Sequence, residues 1–308
     1  MNTLLKRTAK GILRVVAPNT PPSLIPQRLG EMPGKLRKSL RTGALNTVSR
    51  MKGAPDGLPL PPAELMFLVQ GTTNVREFLT DGRSTAVAVL DVLKSSGVEI
   101  DSSASILDFG CGCGRVIRHV YNMTGARCHG SDYNPRLIEW CKRNLPFAQF
   151  GVNGVAPPLA YETEQFDVVY ALSVFTHLPE NLQTAWMTEL SRVLKPGGHL
   201  LMTTHGESFL PILSEEDRIK FRSGQLIVHE HGAIGSNPFF AAHPPEYVRT
   251  HVPPALSVVN FVPETRRGGE QPSRLCWQDG YVLVKRAAEQ GADSAGHAVN
   301  ESSADIRL

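Results

Sequence analysis

Three glycines at alternate positions, Gly110, Gly112 and Gly114, follow the acid Asp108 at the end of an apolar run, Ile106-Leu107. Glycine lacks the Cβ that holds a ligand off the main chain, so such a turn between a strand and a helix lets a ligand approach the backbone closely. A second acid, Asp132, closes the run CHGSD at about the spacing where a carboxylate accepts both hydroxyls of a ribose. Together these residues can bind a nucleotide-type ligand.

Two common nucleotide loops fit poorly. A dinucleotide loop takes G-x-G-x-x-G, and Arg115 stands where its third glycine would fall; a Walker loop needs a following Gly-Lys-Ser/Thr, which is absent. The pattern that remains is D-x-G-x-G-x-G. Asp132 also suits capping of the helix that starts near Asn134, and the two roles are compatible.

The elements that must hold these residues alternate in type. SILDF, ARCHGSD, a short run at Phe147 to Phe150, FDVVYAL and HLLMTT read as strands; Arg115 to Asn122, Asn134 to Asn144 and Asn181 to Leu194 read as helices. Such alternation predicts an α/β fold, a doubly wound, mostly parallel sheet with helices on both faces and its ligand beyond the carboxyl ends of the strands. Leu256 to Phe261 and Cys276 to Lys285 add two strands, seven in all, that pair antiparallel at the sheet edge. Two or three short helices between Glu64 and Leu93 lead into this domain, assigned to residues 61–286.

The motif and its setting resemble the class I S-adenosylmethionine (SAM)-dependent methyltransferases, with their Rossmann-like sheet. The resemblance covers Ala104 to Thr204 by motif and extends to Lys285 by architecture. It implies SAM as cofactor and methyl transfer as activity. The glycine turn, with Cys111 between its glycines, would then face the methionine portion, backbone amides near the carboxylate and Asp108 near the amino-acid end. Asp132 would hold the ribose, with Tyr133 and Asn134 flanking the adenine. Asn153, followed by Gly154, stands where relatives often carry an acid for the adenine amine, and its amide oxygen can accept that bond too. FDVVYALSVFTHL resembles the fourth-strand motif and would set Ala171 and Ser173 beneath the sulfonium.

Transfer from a sulfonium requires alignment of the nucleophile and, for a hydroxyl, removal of a proton. His177 follows the fourth-strand motif, and His205, with Glu207 behind it, ends the fifth strand; His205 is the preferred base and His177 the second candidate. Residues 207–255 are too long for a turn and read as a substrate lid that builds an acceptor pocket with the helices around Glu64 to Arg83; Phe209, Phe221, His229, His231, His243 and Tyr247 lie in it. No metal is expected, because the histidines lack a carboxylate cluster and the Cys111-x-Cys113 pair lacks two further ligands. The expected acceptor is a hydroxyl or amine of a small molecule, a sugar or glycan precursor. The alternative is a methylase of a macromolecule, or a SAM-binding interaction protein, that docks through the N-terminus. Nucleic acid is not expected as partner, since Ala171-Leu172-Ser173-Val174 replaces the Asn/Asp-Pro-Pro-Tyr/Phe of base-amine methylases.

Charge separates the N-terminus from the rest. The net charge is +3, yet Met1 to Lys52 carries Lys6, Arg7, Lys10, Arg14, Arg28, Lys35, Arg37, Lys38, Arg41, Arg50 and Lys52 against Glu31 alone. A helix over Leu4 to Val16 would place Leu5, Ala9, Ile12 and Val16 on one face, suited to peripheral contact with an anionic membrane. Residues 1–60 are thus expected to be a flexible basic arm and 287–308 a disordered tail. No segment reads as a membrane span or signal peptide, and the odd, unpaired cysteines fit a reduced setting, so the expected location is cytoplasmic, with the arm at the inner membrane surface.

Overall fold

The computed structural model describes residues 42–43, 46–51, 53–236, 238–264, 275 and 277–287. Five parallel strands form the frame: β1 (Ser105–Phe109), β2 (Arg127–Asp132), β3 (Ala148–Val152), β4 (Phe166–Ala171) and β5 (Leu194–Thr204). A two-stranded hairpin, β6 (Ile227–His229) with β7 (Phe240–Ala242), stands apart from them. Then β8 (Leu256–Val262) and β9 (Asp279–Lys285) complete a seven-stranded sheet of order β3-β2-β1-β4-β5-β9-β8. The antiparallel strand β9 lies one place inside the edge, paired on both sides, and β8 is outermost.

Both sheet faces are buried, and the strands alternate between two cores. Ile106, Val168, Tyr170, Leu201 and Val282 face one; Leu107, Val169, Leu200, Met202 and Leu283 face the other. The period of two is that of a pleated strand, and it predicts a helix layer on each side. The first layer is α2 (Val75–Ser95), α3 (Ile117–Thr124) and α4 (Pro135–Asn144); the second holds α5 (Glu180–Val193), whose Trp186 packs 4.6 Å from the Phe109 ring. Full burial of side chains such as Phe78, Leu93 and Leu190 stabilises the layers by about 1.5–3 kcal/mol each.

The lead-in is simpler than the two or three short helices expected. After α1 (Ala63–Gln70), which stops at Gly71 in the left-handed conformation, Asn74 caps one continuous helix of 21 residues, α2. Gly82 does not break α2, because the main chain of Arg115 lies against it where a Cβ would stand. Asp132 does not cap α4: Asn134 does, accepting from the Arg136 amide, with Pro135 at the first helical position.

The ordered domain also begins before residue 61. Asp56 makes a buried, two-pronged ion pair with Arg118 at 2.6 and 2.8 Å, and Arg50 donates to the carbonyl of Pro61. The part of the expected arm from Gly53 onward therefore belongs to the packed body. The Leu4 to Val16 helix and the tail beyond Ala287 lie outside the described residues. No described helix is long and apolar enough to cross a membrane.

Residues 207–255 hold a short 3-10 turn (Glu207–Ile212), α6 (Glu215–Arg222), the β6–β7 hairpin and α7 (Pro245–His251). The hairpin meets the end of β5 where His205 bridges to Ala242.

Candidate cofactor and transfer site

A cavity of about 500 Å³ opens at the carboxyl ends of β1, β2, β3 and β4. Asp108, Gly110, Cys111 and Gly112 line it from β1 and its turn, Asp132 and Tyr133 from β2, Asn153 and Gly154 from β3, and Ser173 and His177 from β4. Gly114, Ala171 and His205 are not on its wall.

The turn is built for close approach. Gly110, Gly112 and Gly114 have φ of 82°, 57° and 74°, which side-chain-bearing residues rarely adopt, and a Cβ on each would strike Val174, Val69 and Leu145 respectively. Gly114 thus serves packing rather than the wall. The turn's amides are already engaged: Gly110 and Cys111 donate to the Ser131 carbonyl at 2.8 and 3.0 Å, Gly112 donates to Asp132 Oδ2 at 2.9 Å, and Gly114 donates to the Cys111 carbonyl. The expected cradle of free amides for a ligand carboxylate is therefore absent at these four positions; the first three amides tie the turn to β2 and the fourth closes the turn on itself.

Asp132 accepts from Gly112 through one oxygen and from the Asn134 amide, 2.8 Å away, through the other. Each carboxylate oxygen accepts two bonds, so one lone pair per oxygen remains for a vicinal diol. Burial holds the Asp132 carboxyl above its ordinary range, offset in part by those two amides. Asp108 is more perturbed. Burial pushes it up to about 7, against the Tyr170 hydroxyl and the Arg115 charge nearby, with Asp132 adding repulsion. Such a carboxyl would gain from a cation placed beside it. Asn153 spends its amide oxygen on the Ser131 hydroxyl at 2.5 Å and its NH2 on the Gly154 carbonyl.

The two histidines have different surroundings. His177 Nδ1 lies 2.6 Å from the Phe239 carbonyl, which can only accept, so Nδ1 carries the proton and Nε2 keeps its lone pair. Burial lowers its pKa, partly countered by that carbonyl, and keeps the ring neutral. His205 has both nitrogens engaged: Nδ1 with the Ala241 carbonyl at 3.2 Å and Nε2 with the Gln278 amide at 3.1 Å. Its ring packs against both Phe209 and Phe240, with centroids 3.9 and 4.9 Å away. The preferred base of the sequence reading is thus a buried packing element, and the second candidate is the one on the cavity wall.

The aromatic and histidine residues singled out in the lid do not reach the cavity. Phe221 is in a small core with Leu213 and Ile227, His229 pairs with Asp217, and His243 is buried on Gln183. No group of three metal-ligating side chains occurs among the described residues. The lid contributes instead through Ile234, Gly235, Ser236 and Pro238. The Gly235 amide donates to the His177 carbonyl, and its Cα sits so close to the Tyr133 ring that a Cβ would be 2.9 Å from it. Opposite, α1 supplies Phe67, Leu68 and Val69, the first two 56% and 43% exposed at the cavity mouth. Their signal in the sequence is the unbroken apolar run Leu65 to Val69, longer than one buried helix stripe requires.

The fold is Rossmann-like, and the stretch that carries this site is similar to the class I, SAM-dependent methyltransferases. Residues 107–202 match the family model described as "Methyltransferase domain". Among curated proteins the chain is 36% identical over 104 residues to a sterol 24-C-methyltransferase of Schizosaccharomyces pombe, covering 32% of this chain and 27% of that one. It is 31% identical over 107 residues to a probable chloroplastic tocopherol O-methyltransferase of Oryza sativa, covering 32% and 28%. It is 33% identical over 102 residues to a ubiquinone biosynthesis O-methyltransferase of Cereibacter sphaeroides, covering 32% and 40%. These matches span well under half of each relative. A chain from the complex of the Haloferax volcanii Trm112 methyltransferase activator with a methyltransferase shares the fold at a TM-score of 0.50 and 16% identity, covering 74% of this chain and all of that one. The cofactor of such a domain is SAM.

Proposed function

We propose that this protein transfers a methyl group from SAM to a hydroxyl on an apolar small molecule, with His177 as the base. The observation that carries the reading is that one cavity is lined together by Asp132, Asp108, the glycine turn, His177 and a set of apolar side chains that includes Phe67, Leu68 and Ile234. The donor set fits the cofactor. Asp132 retains lone pairs for ribose hydroxyls, and the buried Asp108 offers a negative partner to the amino-acid ammonium. When bound, SAM supplies an electrophilic methyl on sulfur.

The residues of the chain then supply orientation and a proton acceptor. Phe67, Leu68, Val155 and Ile234 would hold the body of the acceptor and exclude water. His177 Nε2 would take the hydroxyl proton as the oxygen attacks, while Phe239 fixes the tautomer from behind. The hydrocarbon mouth favours an apolar acceptor over the sugar suggested by sequence. Curated relatives named for sterol, tocopherol and ubiquinone methylation support the same direction.

Two measurements test the proposal. Calorimetry with S-adenosylhomocysteine should show saturable binding that is lost in Asp132→Ala. Labelled SAM offered with alkyl phenols, quinols, sterols and sugars should transfer label to the apolar acceptors; transfer to sugars alone would overturn the acceptor class, and no binding of S-adenosylhomocysteine would overturn the cofactor site.

A further inference from the structure

On the far side of α2 and α3 a second cavity of about 540 Å³ shares no lining residue with the first. Four of its side chains carry hydrogen-bond donors with no recorded partner among the described residues: Thr80, Arg83 and Ser84 from α2 and Asn122 from α3. Its single carboxylate, Asp56, is consumed by the Arg118 fork at 2.6 and 2.8 Å, so Arg83 has no carboxylate partner among the described residues. His119 lines the same cavity, is only 8% exposed, and has a buried Nε2 with no hydrogen-bond partner among the described residues. Burial, with Arg118 and Arg83 adding repulsion, lowers its pKa to about 4, so at neutral pH the ring is an acceptor among donors.

From these contacts we infer a second binding site, for a small soluble compound bearing a phosphate monoester, in the cleft between α2 and α3. The acceptor oxygens of the phosphate match the guanidinium, the two hydroxyls and the Asn122 amide, and a P–OH, where present, matches the neutral His119 ring. Leu79 and Met123 line the cleft beside them and give the remainder of the compound an apolar surface. The site is independent of the transfer chemistry, since none of these residues touches the first cavity.

The test is a titration of the full chain with inorganic phosphate and with pyrophosphate at constant ionic strength. It is followed by calorimetry and by the imidazole nitrogen signals of His119. Saturable binding below about 10 mM, with a His119 shift that Arg83→Gln weakens at least tenfold, is the expected result. Thr80→Ala/Ser84→Ala should weaken it as well, and S-adenosylhomocysteine affinity, unchanged in all variants, verifies that each is folded. Absence of a saturable response, or a response that Arg83→Gln leaves intact, overturns the site. Binding to phosphatidate vesicles without any response to free phosphate overturns the assignment to a soluble compound.

Discussion

Gln278, just before β9, donates to the Ser173 hydroxyl at 2.8 Å while its amide oxygen accepts from Thr203 at 2.6 Å. Ser173 has a positive φ of 59°, a strained conformation for a residue with a side chain, and its amide is held in turn by Thr203. A residue from the far end of the chain thus fixes the bend that carries the cavity from β4 towards His177. Gln278→Leu would leave the buried Thr203 hydroxyl and His205 Nε2 without this partner. The expected loss of stability is about 1–3 kcal/mol in denaturant unfolding, with a larger fall in kcat than in S-adenosylhomocysteine affinity. Unchanged unfolding would show that the network is dispensable.

His177→Gln should lower kcat by about 100- to 10,000-fold if the ring removes a proton, while product affinity stays within a few-fold. Because burial lowers the pKa of this ring, the acid limb of the kcat profile in the wild type should lie below the ordinary histidine range. A flat profile, or a variant that keeps its rate, would assign transfer to positioning alone.

The pKa of Asp108, about 7, makes cofactor affinity depend on pH with a definite sign. Below that value the free protein holds a neutral carboxyl, and an incoming ammonium must expel the proton. Affinity for S-adenosylhomocysteine should therefore fall as pH drops from 7.5 to 5.5, by at most about tenfold per unit, and level off above the pKa. Calorimetry in buffers of different ionisation enthalpy should register proton release. Asp108→Asn should abolish both the release and the slope.

That Asp108, the glycine turn and Asp132 meet at one cavity was legible because their determinants are local. Backbone conformation at Gly110 and Gly112, and the end of strand β2 at Asp132, follow from residue type and from the alternation of strands and helices. The acceptor half was legible by segment, as the 207–255 insertion and the helices around Glu64 to Arg83, but not by residue: that Phe67, Leu68 and Ile234 to Pro238 face the cavity is decided only by the tertiary fold. His205 shows the limit most directly. A histidine at a strand end reads as accessible, and nothing nearby in sequence announces that Gln278, Phe209 and Phe240 occupy its surroundings. Gly82 is a second case: only the passage of the Arg115 main chain explains a glycine inside α2.

The buried Asp56–Arg118 pair links the segment before α1 to the helix that follows the glycine turn. Arg118 is fully buried and also donates to the carbonyls of Leu58 and Pro59, so removal of its carboxylate partner strands a charge in the interior. Asp56→Ala should destabilise the domain by about 3–5 kcal/mol, the range for a broken buried pair. Burial alone would raise the Asp56 pKa, but the Arg118 guanidinium and the Leu58 amide more than offset it, and the carboxyl sits below its usual value of 3.8. A depressed carboxylate contributes stability that is fully present above the unfolded pKa and lost as pH falls through the folded one. The wild type should therefore lose this contribution only below about pH 4, and Asp56→Ala should show a shallower acid limb. Urea unfolding from pH 7 to pH 3 measures both, and equal slopes for the two proteins would remove the pair from the account of acid stability.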